Sequence, residues 1–411
     1  MARYRDKDQQ RLSVLLNHLE SCKRTQNEKA SFSGADFSTI RVLISRLMSV
    51  DKSIPESDKH RLVTKAVFCA AGKHELTLEI LTKELRRVES EYLSTHPKEF
   101  RMVGQLSVQP QILPKRVRVL NTTITFGIDD KNQLVRNHRN KVGDLTQASL
   151  PPFPNSYYPF SVACRARTSS HAFALANKSL ELWRGCFNLA LNFRKITRFS
   201  FDGRRPVNQV ATHPIFTVHN KNGSSAGNEW YYEPAYQIPV VCNLILKDAV
   251  LAQKTTRKIL KRLAVHNYSE KVIDGITRYV HALDSANFES GLVELWAICE
   301  SLTESTKSSG DVTVRRISSI YSNKQYVDVI LGVLQEYRNR AVHFGEQTQD
   351  IESLLFHIKG FVEGLLRFHL FNSFNFSNIG EAAEFLDLVR DKQALSKKHK
   401  LLSMAIDRAS I

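Results

Sequence analysis

Apolar residues recur at steps of three and four through the last third of this 411-residue chain. One stripe holds Phe288, Leu292, Leu295, Trp296, Cys299 and Leu302; a second holds Val327, Ile330, Leu331, Leu334, Tyr337 and Ala341. A third runs through Ile351, Leu354, Leu355, Ile358, Val362, Leu365 and Leu366. Stripes with this period put one face of a helix out of water, and several in succession bury those faces against each other. A helical bundle over residues 246–375 follows, with a basic tail over 376–411 behind it.

Upstream, residues 1–98 also repeat at helical steps, as in Leu12, Leu15, Leu16 and Leu19, and form a helical N-terminal domain. From Phe100 the texture changes to alternating, β-branched stretches such as Val117 to Phe126, bounded by Pro114 and Gly127. Residues 99–245 are thus expected to be a mixed α+β middle domain. It contains a long helix from Ser170 to Asn192 and a long loop over the polar, then proline-rich segment 129–159. The fold class expected is α+β multidomain.

With 42% hydrophobic and 24% charged residues the composition is that of a folded protein. No apolar run approaches the roughly 20 residues of a membrane span, and the charged start Met-Ala-Arg-Tyr-Arg-Asp has no signal-peptide core behind it, so a cytoplasmic location without membrane contact is expected. The six cysteines are scattered, with no Cys-x-x-Cys pair and no zinc-like histidine spacing. The signatures of P-loop, His-Glu-x-x-His and Gly-x-Ser-x-Gly enzymes are missing from the sequence, and no cofactor is expected.

The net charge of +17 suits a polyanionic partner. It is unevenly spread: residues 165–205 carry nine basic and two acidic side chains, whereas residues 284–352 carry six and eleven. The basic residues Arg194, Lys195, Arg198, Arg204 and Arg205, interleaved with apolar ones, and Lys258 farther on are the candidate RNA contacts.

Within the bundle one run carries chemistry: Tyr337-Arg-Asn-Arg-Ala-Val-His-Phe-Gly345. Asn339 and His343, four apart, share a helix face, while Arg338 and His343 diverge by roughly 140°. His343 falls near a helix C-terminus, where the carbonyls favour an imidazolium. The run resembles the Arg-x4-6-His signature of the HEPN family, with a polar residue after the Arg, and resembles most its Apea-like branch. Residues 292–302 resemble the family's earlier core helix, whose acidic residue matches Glu300. The resemblance spans about residues 270–372 and implies a metal-independent endoribonuclease. In that reading His343 is the acid or base, Arg338 clamps phosphoryl oxygens, Asn339 orients the phosphate or the histidine, and Glu300 holds Arg338. It also implies an RNA substrate such as tRNA, a homodimer through the bundle, a role as toxin or anti-phage effector, and a regulatory partner protein. Two other readings remain open. In one, Arg338 pairs with Glu300 or Glu336 as a plain strut while His343 caps the helix; in the other, the protein is a nucleic-acid-binding or scaffold protein with an inactive bundle.

Overall fold

The computed structural model describes residues 4–26, 29–33, 36–73, 75–109, 113–127, 133–146, 157–193, 205–232, 246–344, 348–388 and 391–409. These form a mixed α/β structure with a sheet in the middle and a helical C-terminal region.

The first unit comprises α1 (Gln9–Ser21), a hairpin of β1 (Lys23–Gln26) and β2 (Lys29–Phe32), then α2 (Asp36–Leu47), α3 (Glu56–Lys73) and α4 (Leu78–Ser94). Its helices close around Leu12, Leu16, Ile44, Val63, Val67, Leu81 and Leu85, an apolar cluster of its own. The hairpin was not expected from the sequence. Its strands are four residues each, too short to display a period.

β3 (Lys98–Leu106), β4 (Arg116–Val119), β5 (Thr122–Phe126), β6 (Tyr158–Ala166), β7 (Ile215–Asn220) and β8 (Ser225–Tyr232) form one antiparallel sheet in the order β4-β5-β6-β3-β7-β8. Alternation sets its inner face. Ile124 and Phe126, Phe160, Val162 and Cys164, Phe100 and Met102, and Phe216 and Val218 all lie in the same buried cluster as α6 (Ser169–Asn192). α6 starts where Thr168 accepts a hydrogen bond from the His171 amide at 3.0 Å, and its Leu180, Trp183 and Phe187 are buried.

The opposite face of the sheet corrects the sequence reading. The segment expected to be loop, 129–159, contains the helix α5 (Gln133–Thr146). Its inward face of Val135, His138, Arg139 and Val142 is half polar, so no apolar stripe marks it. Arg139 donates to the Val103 carbonyl at 3.0 Å, and the His138 ring lies edge-on to that of His219. Residues 147–156 of that segment lie outside the described residues.

The C-terminal helices are α7 (Leu246–Leu263), α8 (Ser269–Asp284), α9 (Phe288–Leu302), α10 (Gly310–Ser318), α11 (Lys324–Phe344), α12 (Ile351–Phe371), α13 (Ile379–Leu386) and α14 (Lys392–Ala409). α9 packs between α8 and α12, and α11 lies across α9, α10 and α12. The apolar cluster under the sheet continues without a break through α6 into these helices. Two glycines permit close helix crossings. A Cβ on Gly185 would sit 2.7 Å from Ile276 of α8, and one on Gly291 would sit 2.9 Å from the Ala282 carbonyl. The basic tail contains α14, none of whose residues is buried. Among the described residues no helix is long and apolar enough to cross a membrane.

Buried ion pairs tie sheet and bundle together. Arg184 of α6 is held by Glu181 on its own helix and by both carboxylate oxygens of Asp284, at 2.7 Å and 2.5 Å, and donates to the Val210 carbonyl. Lys359 of α12 reaches the Asn192 carbonyl at 3.0 Å and Glu363 at 2.8 Å, while Tyr279 donates to Glu363 at 2.5 Å.

Burial pushes His213, His219 and His369 down to about 4. In the unfolded chain they titrate near about 6.5, so from there down to about 4 the unfolded state binds more protons than the folded one. Their contribution is complete above about pH 6.5 and is lost as the pH falls through that window. The urea midpoint is therefore expected to fall between pH 7 and pH 4.5, and His369→Gln to flatten that fall, measured by circular dichroism.

Candidate active site

α9 begins at Asn287, whose side chain accepts from the Ser290 amide at 2.9 Å, and buries Leu292, Leu295, Trp296 and Cys299. Four residues beyond Trp296, Glu300 stands at the edge of that buried face. The indole N–H of Trp296 donates to Glu300 Oε1 at 2.8 Å. The same oxygen accepts from Nη2 of Arg338 at 3.3 Å, bringing α9 and α11 together across 38 positions of sequence. Arg338 Nη1 donates to Oδ1 of Asn339 at 3.0 Å.

Two of the guanidinium's five donors are thus committed, and its buried Nε has no partner among the described residues. The Arg338 side chain is 27% exposed and that of Glu300 19%, so the pair lies at the surface of the bundle with one edge toward solvent. This geometry turns the fork in a fixed direction. A planar guanidinium oriented by a carboxylate is suited to bidentate contact with a phosphoryl or carboxylate group. Of the two carboxylates weighed for Arg338, Glu300 is the one in contact.

The backbone of His343 lies in the last turn of α11, one and a half turns beyond Arg338. Its side chain, and Gly345 with the cap expected there, lie outside the described residues. Cys299, the thiol nearest this cluster in sequence, is fully buried, and burial together with the neighbouring Glu300 pushes its thiol up. A buried thiol held in that form is a poor nucleophile.

Of the candidate RNA contacts, Arg194, Lys195, Arg198 and Arg204 lie outside the described residues. Arg205 is exposed, at the start of the segment leading to β7. Lys258 is exposed on α7 and lines a cavity of about 550 Å³ between α6, α7 and α12. Arg262 and Arg367 stand at that cavity with their guanidinium groups over the ring of Phe371, at 4.2 Å and 5.5 Å. Lys258 makes no bond to the Arg338 cluster among the described residues. Sequence reasoning placed Trp296 in the core and missed its second role as a donor to Glu300; the four-residue spacing of the two was the available signal.

No family model, no curated protein and no solved structure matches the chain. The site therefore rests on its residues.

Removing the Glu300 carboxylate leaves the Trp296 and Arg338 donors without their acceptor. Glu300→Ala is expected to destabilise the protein by about 1–3 kcal/mol, less than for a fully buried pair because water reaches one edge. Glu300→Gln keeps an acceptor for the indole and should recover part of that loss, measured by urea unfolding.

Proposed function

We propose that this chain is a metal-independent endoribonuclease of the HEPN type, acting as a toxin or anti-phage effector on RNA such as tRNA. The observation that carries the reading is the orientation of Arg338 by Glu300 and Asn339, on the helix whose last turn contains His343. RNA carries its own nucleophile, the 2′-hydroxyl beside each phosphodiester. Cleavage then requires a proton acceptor, a proton donor and stabilisation of the charge gathering on the phosphorus. Histidine and arginine supply these. The 2′-oxygen attacks phosphorus, the bond to the 5′-oxygen breaks, and that oxygen takes up a proton.

Arg338 and His343 diverge on α11, so one motif does not close a site by itself. α11 also presents Tyr326, Val329 and Val333, 61%, 68% and 51% exposed, at steps of three and four. Pairing two copies through the bundle would cover this stripe and bring two motifs together. A regulatory partner protein restraining the toxin belongs to the same proposal. The alternative, a non-catalytic nucleic-acid-binding or scaffold protein with an inactive bundle, has one observation on its scaffold side: the Arg338 fork is already engaged by Glu300 and Asn339.

Digestion of total RNA separates the two. Arg338→Ala and His343→Ala are each expected to abolish cleavage while moving the thermal midpoint by only a few degrees, and wild-type cleavage by either variant would sink the assignment. Light scattering should find a dimer; full activity from a monomer would exclude pairing.

The product ends provide a second test. Cleavage is expected to continue in EDTA, to leave a 2′,3′-cyclic phosphate upstream and a 5′-hydroxyl downstream, and to spare a substrate with one 2′-deoxy nucleotide just before the cut. Mass spectrometry of the fragments reads this directly. Cleavage that stops in EDTA and leaves 5′-phosphates would point to metal-activated water instead.

A further inference from the structure

A second cavity, of about 690 Å³, lies between the edge strand β4 and the helices α6, α7 and α8, and shares no lining residue with the Arg338 cluster. Its floor is apolar, including Trp183, which is 1% exposed. Four cations stand at its mouth, Arg116 and Arg118 from β4 and Arg257 and Lys261 from α7, all exposed. No carboxylate lines the cavity, and none of the four has an ion-pair or hydrogen-bond partner among the described residues. The arginines that serve the fold look different: Arg184, Arg315 and Arg316 each meet a carboxylate.

Basic residues on an edge strand also discourage pairing with a second sheet, which would account for Arg116 and Arg118 alone. It does not account for Arg257 and Lys261, which line the same cavity from α7, across from the strand. Two further features sit in the same place. Thr256 lines the cavity at 3% exposure, and its buried hydroxyl has no hydrogen-bond partner among the described residues. Leu120, at the tip of the β4–β5 hairpin, lines it with φ +51° and 44% exposure. That φ is the one a two-residue hairpin turn requires.

We infer that this cavity binds a nucleoside di- or triphosphate, with the phosphates among the four cations and the base on the apolar floor. The volume falls within the range of small-ligand sites, about 300–1,000 Å³. Ser269 places a polar group among the apolar lining, where the edge of a base can use it and an acyl chain cannot. The inference is independent of the proposed nuclease.

The test is titration of the full-length protein with ADP and ATP, followed by isothermal calorimetry and tryptophan fluorescence. Saturable binding of one nucleotide per chain is expected, weakened at least tenfold by Arg116→Ala/Arg118→Ala and by Arg257→Ala/Lys261→Ala. All four side chains are exposed, so the thermal midpoint should hold in both double variants. Lys397→Ala/Lys398→Ala on α14 should bind as wild type, and so should Arg338→Ala, whatever the fate of RNA cleavage. Trp183→Phe should remove most of the fluorescence response while calorimetry still records binding. The inference is overturned if neither nucleotide binds saturably, if both double variants bind normally, or if inorganic triphosphate binds as tightly as ATP. It is equally overturned if a short RNA depends on the four cations while ADP and ATP do not bind.

Discussion

Arg184 is the interaction on which the arrangement of this protein depends. It sits in the middle of α6, the helix that closes the sheet on one side and meets α7 and α8 on the other. A guanidinium so deeply buried is tolerable only with its donors filled, and Glu181, Asp284 and the Val210 carbonyl fill them from α6, α8 and the segment leading to β7. Asn208 adds a bond to Asp284 at 2.8 Å and one to the Val280 carbonyl at 2.6 Å. Apolar packing supplies most of the attraction between sheet and bundle, but it is non-directional. The charged cluster, with the Gly185 contact, selects one angle and one register.

Much of this was legible in the sequence because burial leaves a periodic trace. The stripes through α9, α11 and α12, the alternation in β5 and the long apolar face of α6 follow directly from which side of each element meets the core. What escaped did so for identifiable reasons. α5 faces the sheet with His138 and Arg139, which meet the Ser225 hydroxyl, the ring of His219 and the Val103 carbonyl, so a burying face looks like a solvated loop. The strands β1 and β2 are too short to repeat.

The candidate site shows the same division. Arg338, Asn339 and Glu300 could be paired from the sequence through a family resemblance, and the structure brings their side chains together. The cations of the second cavity come from β4 and α7, more than a hundred positions apart, and no local pattern joins Arg118 to Arg257. Such a constellation exists only after folding. The charge excess noticed in the sequence thus divides into cations that brace the fold and cations that face open space.

The first unit meets the rest of the chain through a fully buried carboxylate. Asp58 of α3 accepts from Tyr92 on its own unit and, through its other oxygen, from the hydroxyl of Thr168, both at 2.6 Å. Thr168 is also the cap that starts α6, so one hydroxyl has both its donor and its acceptor engaged by different units. Docking of the N-terminal helices and the winding of the first turn of α6 are then parts of one cooperative step. A pull on the N-terminal unit would be felt as a loosening of the helix on which both the sheet and the bundle are aligned.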